Sequence, residues 1–489
     1  MKSENVVLVF DCGATNVRVI AINSVGKIIA GESLPNNTTA DPFLDGGVIW
    51  DIDEIWSKLC EASQKVTTAI NKTNIVGVTV TTFGVDGAPF DQNGKMIYPV
   101  ISWQCSRTIP IMNQIDKYLS LKELYALSGV FPYNFNTINK LIWFRENRPE
   151  LLTSDGQFLF IPSILINRLS GERVNDITMA GTSMMTELRQ REFSPQILKQ
   201  IGVERALFGT MGEPGTVVGQ INRGASEVTG IPVGVPVCLA GHDTQFAIYG
   251  SGAALNEPVL SSGTWEILMS RSLEAKISQE QFDLGITTEL DAVPGIFDIG
   301  MNWMGSGLLE WGSKNLFADL TGNSKYDTMI DGASKVIAGS GGISVLPNFF
   351  NESSVGKAGA IDGLSLTSSR FEIYRAMLEA LSYQLKDGIV ALQKAGNFKA
   401  ESVRVVGGGS KNQLWNQIRA DVCGIPVQLI SQKETTVLGA ALFAFAGIGY
   451  FGSAEEARAQ IDYQPVTVEP SAESGRYSEL YEAYKLKWK

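Results

Sequence analysis

The stretch Val6–Asn16, VVLVFDCGATN, decides the fold, because an apolar run ends there in an aspartate and a turn of small residues. Val17–Asn23 then alternates, and Ser24-Val25-Gly26 turns the chain into Lys27–Ala30. This pattern predicts three short β-strands joined by turns. A Rossmann domain would pass from its first strand through a glycine-rich loop into a helix, so the pattern argues against that fold.

A second segment of the same kind begins past the middle of the chain. Pro258–Met269 runs from an apolar strand through a Gly-Thr turn into another strand. Its similarity to the opening stretch indicates a weak internal repeat and two related domains. We predict these domains at residues 1–248 and 254–465, with Tyr249–Gly252 as a hinge and 466–489 as a tail that ends in a helix.

Composition and charge exclude several classes of protein. The chain has 489 residues, 44% apolar and 19% charged, which is typical of a folded protein of two or more domains. Its net charge of −11 argues against nucleic acid as a partner. Five widely spaced cysteines without a CxxC pair argue against a disulfide framework or a zinc site. The single histidine, His242, leaves most acid–base chemistry to carboxylates.

Two segments bear on where the protein works. Met1–Asn5 is short and polar and lacks the apolar core of a signal peptide. Val437–Phe451, the longest apolar stretch, contains three glycines and falls short of the ~20 residues that span a bilayer, so it predicts a buried helix. We therefore expect a cytoplasmic protein that contacts no membrane.

Glycine-containing turns follow three apolar strands, at Asp11–Asn16, Ser261–Thr264 and Gly407–Ser410. Glycine lets the backbone approach a phosphate closely, and the free N–H groups of such a turn point at the anion. A single turn of this kind is more often a plain hairpin or helix start. Three of them, two opening the repeated halves, favour a nucleotide held between two domains. None matches the P-loop or GxGxxG patterns.

Aspartates stand at two strand ends beside turns, Asp11 and Asp243. Phosphoryl transfer needs a proton acceptor for the attacking hydroxyl and a metal ion across the phosphates. The pattern favours Asp243 as the general base and Asp11 in the Mg²⁺ shell, with His242 orienting the base. The alternative is that each aspartate caps a turn and that His242 is a structural residue.

A candidate sugar-binding region surrounds Asp86. Thr81-Thr82-Phe83-Gly84 precedes it, and Trp103-Gln104-Cys105-Ser106-Arg107 follows. An acid, an amide, an aromatic platform and an arginine together suit recognition of a polyol. In the alternative interpretation, Trp103 belongs to the core and Arg107 lies at the surface.

These segments, in this order, resemble the FGGY family of carbohydrate kinases. The opening motif continuing to Arg18, the Gly241-His242-Asp243 segment and the Ser262-Gly263-Thr264 turn are similar to its phosphate and catalytic motifs. Gly407–Gln417 resembles its adenosine-side signature, and Glu434–Ala441 resembles the block that follows that signature. The match extends over nearly the whole chain, so we consider it specific.

The resemblance implies the α/β, two-domain ribonuclease-H-like fold shared by actin, hexokinase and the heat-shock ATPases, with a nucleotide cleft between the domains. It implies ATP and Mg²⁺ as cofactors and Asp243 as the catalytic base, with Asp11 and Asp243 holding the metal through water. Implied nucleotide contacts are Gly13, Thr15, Asn16, Arg18, Gly263, Thr264, Gly407, Gly408, Gly409 and Asn412. Implied sugar contacts are Asp86, Gln104, Arg107, Asp243 and Gln245.

The branch of the family is narrowed by departures from its usual pattern. Ala14 stands where many members have Thr, and Cys105 replaces the acid of the WxDxR block, so Asp86 is expected to supply the carboxylate. Gly84-Val85-Asp86 and the Gly13-Ala14 turn resemble the members that act on the deoxysugars L-rhamnulose and L-fuculose. The strings 81–87, 103–108 and 242–247 are most similar to those of members acting on L-fuculose. The implied reaction is ATP-dependent phosphorylation of its 1-hydroxyl to L-fuculose 1-phosphate.

Other possibilities stay open at this point. L-Rhamnulose, xylulose or ribulose are alternative substrates within the same family. A sugar sensor or an actin-like assembly protein would share the fold without the activity. The sequence does not determine whether the protein forms a homo-oligomer.

Overall fold

The computed structural model describes residues 4–152, 155–322, 324–349, 358–432 and 434–488. Met1–Ser3, part of the polar N-terminal segment, lies outside them. The strands are β1 Val6–Cys12, β2 Asn16–Asn23, β3 Ile28–Pro35, β4 Thr39–Ala40, β5 Val48–Trp50, β6 Ile75–Thr82, β7 Gly87–Phe90, β8 Val100–Ile101, β9 Gln157–Phe160, β10 Val174–Asp176, β11 Thr186–Glu187, β12 Glu192–Phe193, β13 Thr210–Gly212, β14 Val217–Gln220, β15 Pro236–Cys238, β16 Val259–Ser262, β17 Trp265–Ser272, β18 Thr287–Leu290, β19 Phe297–Met304, β20 Ser344–Leu346, β21 Ala360–Asp362, β22 Val403–Val406, β23 Val427–Leu429 and β24 Val466–Val468.

The α-helices alternate with these strands along the chain. They are α1 Ile52–Ala69, α2 Ile109–Met112, α3 Leu121–Ser128, α4 Thr137–Asn147, α5 Ile161–Ser170, α6 Ile177–Gly181, α7 Pro195–Ile201, α8 Arg223–Thr229, α9 Asp243–Gly250, α10 Gln279–Asp283, α11 Ser306–Leu316, α12 Lys325–Ser334, α13 Arg370–Gly396, α14 Gln413–Cys423, α15 Thr435–Gly447, α16 Ala454–Arg458 and α17 Ser474–Trp488.

The chain divides into two compact units. The first comprises Met1–Gly252, Ile277–Asp298 and Glu434–Asp462, and the rest of the chain forms the second. This division differs from the contiguous domains expected from the sequence, because two later segments return to the first unit. The C-terminal helix α17 belongs to the second unit, where it packs on α14.

The sheet of the first unit has the strand order β14-β15-β6-β1-β2-β3. β1 is antiparallel to β2 and parallel to β6, and β15 is parallel to β6. β1 is buried throughout, which accounts for the unbroken apolar run Val6–Phe10, whereas the edge strand β3 alternates in exposure. The three-strand start predicted from Val6–Asn16 and the segments after it is therefore confirmed.

The sheet of the second unit repeats this arrangement. This sheet has seven strands in the order β18-β19-β17-β16-β22-β23-β24, and six of them, β19 to β24 in that order, follow the pattern of the first sheet. As in the first sheet, the central hairpin is antiparallel, β16 with β17, and β16 is parallel to β22. β24 is antiparallel to β23, as β14 is to β15 in the first unit. The weak repeat seen in the sequence thus corresponds to one strand order used twice.

The long helix α13 lies behind the second sheet. Apolar spacing predicted it over Tyr374–Lys394, and the structure extends it at both ends. Ser369 begins it with a capping box that includes Glu372, and Asn397 ends it in the left-handed conformation. Capping groups, more than the apolar stripe, therefore set its bounds.

Tyr249–Gly252 is not the free linker that the sequence suggested. Helix α9 includes Tyr249 and Gly250, and Tyr249 is fully buried. A Cβ atom on Gly250 would lie 2.0 Å from the carbonyl oxygen of Thr435, so α9 packs closely on α15. Tyr249 and Gly250 therefore belong to a packed helix, and the boundary between the two units follows Gly252. A hinge at this boundary stays a prediction.

The apolar stretch Val437–Phe451 contributes most of α15, a buried helix of the first unit, as predicted. Within the ranges that the structure describes, a helix with the length and apolar character needed to cross a bilayer does not occur.

Candidate active site

The carboxyl ends of three parallel strands, β15, β6 and β1, lie side by side in the first unit. The Thr82 N–H donates to the Gly241 carbonyl at 3.0 Å, and the Phe83 N–H donates to the Cys12 carbonyl at 3.2 Å. These bonds tie together the turns that follow the three strands. Asp11 lies near the end of β1, Asp86 follows β6, and Asp243 begins α9 after β15, so the structure places these aspartates along one edge of the sheet. Such an edge is where open α/β sheets bind ligands.

Asp243 is the first residue of α9, so its carboxylate stands at a helix N-terminus. Its Oδ1 lies 3.4 Å from His242 Nε2 and accepts a bond from the Thr244 hydroxyl at 3.3 Å. Burial raises the pKa of Asp243, while the neighbouring His242 acts to lower it. A partly buried carboxylate in this position can accept a proton from a bound hydroxyl group.

His242 lies between two carboxylates. Its Nδ1 is 3.6 Å from Oε2 of Glu289, which also accepts a bond from Gln245 Nε2 at 2.7 Å. Burial acts to lower the pKa of His242, but Glu289 and Asp243 raise it on balance. A Cβ atom on Gly84 would lie 2.8 Å from the imidazole, so only glycine leaves room for the ring there.

The backbone of His242 is fixed from a separate segment. Its N–H donates to Thr178 Oγ1 at 2.9 Å. Thr178 in turn bonds to Asp176, whose burial raises its pKa to about 6. These contacts fix the backbone of His242 at the position directly before α9.

Asp11 is paired with Arg18 across the β1–β2 hairpin. Register places the two residues opposite each other, and Arg18 Nε donates to Asp11 Oδ2 at 3.0 Å. Arg18 Nη1 donates to Glu434 at 2.6 Å, so the guanidinium joins two carboxylates. Burial raises the pKa of Asp11 to about 6 against the opposing effect of Arg18.

The turn after Asp11 is tight and open to solvent. The Gly13 N–H donates to the Asn16 carbonyl at 2.9 Å, and a Cβ on Gly13 would lie 2.9 Å from the same oxygen. The side chains of Thr15 and Asn16 are exposed. The predicted phosphate turn therefore has the close backbone and accessible hydroxyl that such a turn requires.

Asp86 is fully buried in a polar network. Its carboxylate forms an ion pair with the buried Lys140 and accepts bonds from the Trp50 indole at 2.7 Å and the Trp103 backbone at 3.0 Å. Lys140 Nζ also donates to the Val85 carbonyl at 3.0 Å. The assignment of Asp86 to the sugar stays a prediction, and a sugar hydroxyl would have to join these bonds or displace one.

The remaining predicted sugar contacts differ in exposure. Arg107 is buried, paired with Asp41, and donates to Cys105 Sγ at 3.1 Å and to the Tyr98 hydroxyl at 3.2 Å. Gln104 is exposed, whereas Gln245 is fully buried against Glu289. Cys105, in the position of the usual acid, thus contacts an arginine side chain.

Aromatic rings flank Trp103. Its ring lies 6.1 Å from that of Phe135, which stacks on Tyr133 with centroids 4.9 Å apart. Trp103 is partly exposed, so the cluster provides an apolar surface beside Asp86. The sequence analysis did not single out Tyr133 or Phe135.

In the second unit, two glycine turns follow the adjacent parallel strands β16 and β22. The Gly263 carbonyl accepts from Ser306, and the Thr264 carbonyl accepts from Gly305, each at 2.9 Å. Gly407 has φ +86°, and a Cβ there would lie 2.7 Å from the Ser262 carbonyl. The structure therefore brings together the two turns that the sequence assigned to the nucleotide.

Gly408, Gly409 and Asn412 complete the second of these turns. A Cβ on Gly408 would meet nothing within 4 Å, so the turn is open on that side. Asn412 caps α14 by accepting the Trp415 N–H at 3.1 Å. The turn thus offers a close-packed backbone on one side and free space on the other, as a nucleotide site requires.

The donor set fits Mg²⁺ held mainly by phosphates and water. Within the described ranges, the structure contains no group of three or more His, Cys, Asp or Glu side chains that could bind a metal ion. Mg²⁺ commonly takes one or two carboxylates together with substrate phosphates and waters. Asp11 and Asp243 would supply those carboxylates. Besides burial, the charge of Asp243 raises the pKa of Asp11, and the charges of both aspartates raise the pKa of Cys12.

Two units with a shared strand pattern and glycine turns at strand ends are the arrangement implied by the sequence resemblance for a two-domain nucleotide-binding fold. Residues 6–250 match the N-terminal domain of the FGGY family of carbohydrate kinases, and residues 259–448 match its C-terminal domain. The chain belongs to this family and is a carbohydrate kinase.

Curated relatives are similar along almost the entire chain. L-Fuculokinase of Escherichia coli K12 is 45% identical over 464 residues, which cover 95% of this chain and 97% of that protein. L-Fuculokinase of Haemophilus influenzae is 44% identical, covering 93% of this chain and 97% of that protein.

Solved structures share the fold. Xylulose kinase from Rhodospirillum rubrum is 21% identical with a TM-score of 0.87, covering 99% of this chain and 98% of its own. Gluconate kinase from Lactobacillus acidophilus is 20% identical with a TM-score of 0.89, covering 99% and 97%. The two-domain α/β fold expected from the sequence is therefore confirmed.

The sequence analysis did not single out Lys140 or Glu289, and it named Glu434 only as part of a family block and not as a partner of Arg18. Each belongs to a segment far along the chain from the residue it contacts. Lys140 lies in the first turn of α4, which begins at Thr137. Nothing in the local sequence marks Glu289.

Proposed function

We propose that this protein phosphorylates the 1-hydroxyl of L-fuculose with ATP, giving L-fuculose 1-phosphate and ADP. The observation that carries the proposal is the near-complete match, at 44–45% identity, to proteins named L-fuculokinase.

Asp243 acts as the general base in this proposal. The sugar oxygen forms a bond to the γ-phosphorus, the bond from that phosphorus to the β-phosphate oxygen breaks, and the hydroxyl proton passes to the Asp243 carboxylate. Its place at the start of α9, with His242 Nε2 at 3.4 Å, supports this role because the helix end and the imidazole hold the carboxylate in one orientation.

The nucleotide is assigned to the glycine turns. In the first unit, Gly13, Thr15, Asn16 and Arg18 face the phosphates. In the second, Gly263, Thr264, Gly407, Gly408, Gly409 and Asn412 hold the nucleotide. Mg²⁺, when bound, would neutralise charge on the phosphates, with Asp11 and Asp243 contacting it through water.

The sugar is assigned to the region around Trp103. Asp86, Gln104, Arg107 and Gln245 are the proposed contacts, together with Asp243. The partly exposed Trp103 ring supplies an apolar face, which suits the methyl group of a 6-deoxy sugar. Asp86 is proposed to supply the carboxylate that accepts sugar hydroxyl groups, because Cys105 replaces the usual acid. We further propose a cytoplasmic location, with no nucleic-acid or membrane partner.

A panel of ketoses tests the proposal. ADP release is coupled to NADH oxidation with L-fuculose, L-rhamnulose, xylulose and ribulose as acceptors, and Asp243→Asn serves as the inactive control. We expect the highest kcat/KM with L-fuculose. A higher value with another ketose would reassign the substrate, and no ketose-dependent release would remove the proposed activity.

A further inference from the structure

A fully buried ion pair lies behind the two glycine turns of the second unit. Arg419 of α14 pairs with Glu266 of β17, and both side chains have 0% exposure. The guanidinium carbon lies 3.5 Å from the centroid of the Trp415 ring, and Trp303 Nε1 donates to Glu266 Oε2 at 2.8 Å. Neither charge reaches solvent, so their partners must all be internal.

The first glycine turn is bound to this pair through Ser262. The Ser262 hydroxyl accepts from Arg419 Nη2 at 2.7 Å and donates to Glu266 Oε1 at 2.9 Å. Ser262 directly precedes Gly263, so the hydroxyl fixes the point where β16 enters the turn. Because the charged Arg419 donates to this hydroxyl and the charged Glu266 accepts from it, the hydroxyl has one orientation.

The second glycine turn is bound to the same guanidinium. Arg419 Nη1 donates to Asn416 Oδ1 at 3.2 Å, and Asn416 Nδ2 donates to the Ser410 carbonyl at 2.7 Å. A Cβ on Gly409 would lie 2.1 Å from Ser262 Oγ, so the two turns also pack directly on each other. One guanidinium therefore holds both turns.

Fold stability alone gives little reason for such a pair. Burying two charges costs free energy that their attraction repays only with excellent geometry, and apolar residues of similar volume often stabilise as well. Arg is suited to this place because its planar fork directs several donors at fixed angles, which a lysine cannot do. The geometry of the pair therefore suits a role in holding the neighbouring groups in fixed positions.

We propose that Arg419 and Glu266 are positioning residues that set the spacing of the two glycine turns and thereby the affinity for a nucleoside diphosphate. The inference rests on the proposed function, because it takes these turns to be the nucleotide site. It assigns no contact between Arg419 and the nucleotide. The pair acts through Ser262 on one side and Asn416 on the other.

The test compares two arginines of the second unit in the full-length protein. Arg419→Lys keeps the charge and removes the fork. Arg375→Lys is the matched control, because Arg375 also pairs with a buried glutamate, Glu379, and makes no bond to either turn. Binding of ADP with Mg²⁺ and binding of L-fuculose are measured separately by calorimetry.

We expect Arg419→Lys to weaken ADP binding by roughly 10-fold to 100-fold, the loss typical of a displacement of about 1 Å at a site. Sugar binding should change by less than about twofold, and Arg375→Lys should leave ADP binding within about twofold of the unmodified protein. Equal effects of the two substitutions on ADP would overturn the inference, as would a parallel loss of ADP and sugar.

Ser262→Ala keeps the test decisive where Arg419→Lys fails to fold, because it removes one hydroxyl and leaves the ion pair intact. Several-fold weaker ADP binding is expected, and unchanged binding refutes the inference. Failure of the unmodified chain to bind ADP refutes it as well. A protein that binds ADP with this dependence but phosphorylates no ketose loses only the proposed function.

Discussion

His242 Nδ1 lies 3.6 Å from Glu289 Oε2, on the side of the imidazole away from Asp243. The ring is thereby held between a carboxylate at the start of α9 and one from β18. Because Glu289 also accepts a hydrogen bond from the amide of Gln245, it holds both His242, beside the proposed base, and Gln245 of the proposed sugar site.

Removal of Glu289 should therefore affect the sugar more than the nucleotide. We expect Glu289→Ala to raise the KM for L-fuculose about 10-fold and to change the KM for ATP by less than about twofold, since a buried amide loses its acceptor. Steady-state kinetics measure both. Glu227→Ala, which removes an exposed pair with Arg223 on α8, is the control and should behave as the unmodified protein.

Loss of the base should abolish most turnover. Asp243→Asn keeps the size of the side chain and removes its ability to take a proton, so kcat should fall by ~10²–10⁴-fold. ADP and L-fuculose should still bind, which calorimetry checks. Turnover near the normal rate would show that another group accepts the proton.

The buried Asp86–Lys140 pair allows a direct role in sugar recognition to be separated from a structural one. Asp86→Ala removes the carboxylate, and Lys140→Met leaves it in place, but each breaks the pair and should cost about 3–5 kcal/mol of stability. Direct recognition predicts that only Asp86→Ala raises the sugar KM and narrows the preference for L-fuculose over L-rhamnulose. Similar changes in both variants would assign Asp86 a purely structural role.

Asp176 should destabilise the fold at neutral pH. Burial raises its pKa from 3.8 to about 6, so the unfolded chain ionises first as pH rises. The free energy of unfolding should then fall between about pH 4 and 6 and stay lower above that range.

Asp176→Asn removes this charge while keeping an acceptor for Thr178. It should raise stability at pH 7.5 by up to about 3 kcal/mol and change little at pH 4. Denaturant unfolding at the two pH values measures the difference. A variant less stable than the unmodified protein at pH 7.5 would contradict the argument.

Most of the strands, turns and helices that frame the site can be predicted from local sequence. The apolar run before Asp11 predicted β1, and the glycine turns marked where β1, β16 and β22 end. Helix α13 extends beyond its apolar stripe because Ser369 and Asn397 cap it. Each of these features depends on residues only a few positions apart, so the sequence alone predicts it.

Tertiary partners could not be found in the same way. The motif predicts that Arg107 contacts the sugar. It gives no indication of the partner Asp41, which lies 66 residues away along the chain. Lys140 and Glu289 approach the site only after the chain folds back on itself. Burial and pairing of such side chains depend on register between distant segments, which composition and spacing do not encode.

His242 is the one histidine of the chain, so its imidazole can serve as a spectroscopic probe of the site. Every histidine resonance in a magnetic resonance spectrum arises from His242, so isotope-labelled histidine gives an assigned signal without mutagenesis. Because that ring lies beside Asp243 and Glu289, binding events along this edge of the sheet can be followed on a single signal in the native chain.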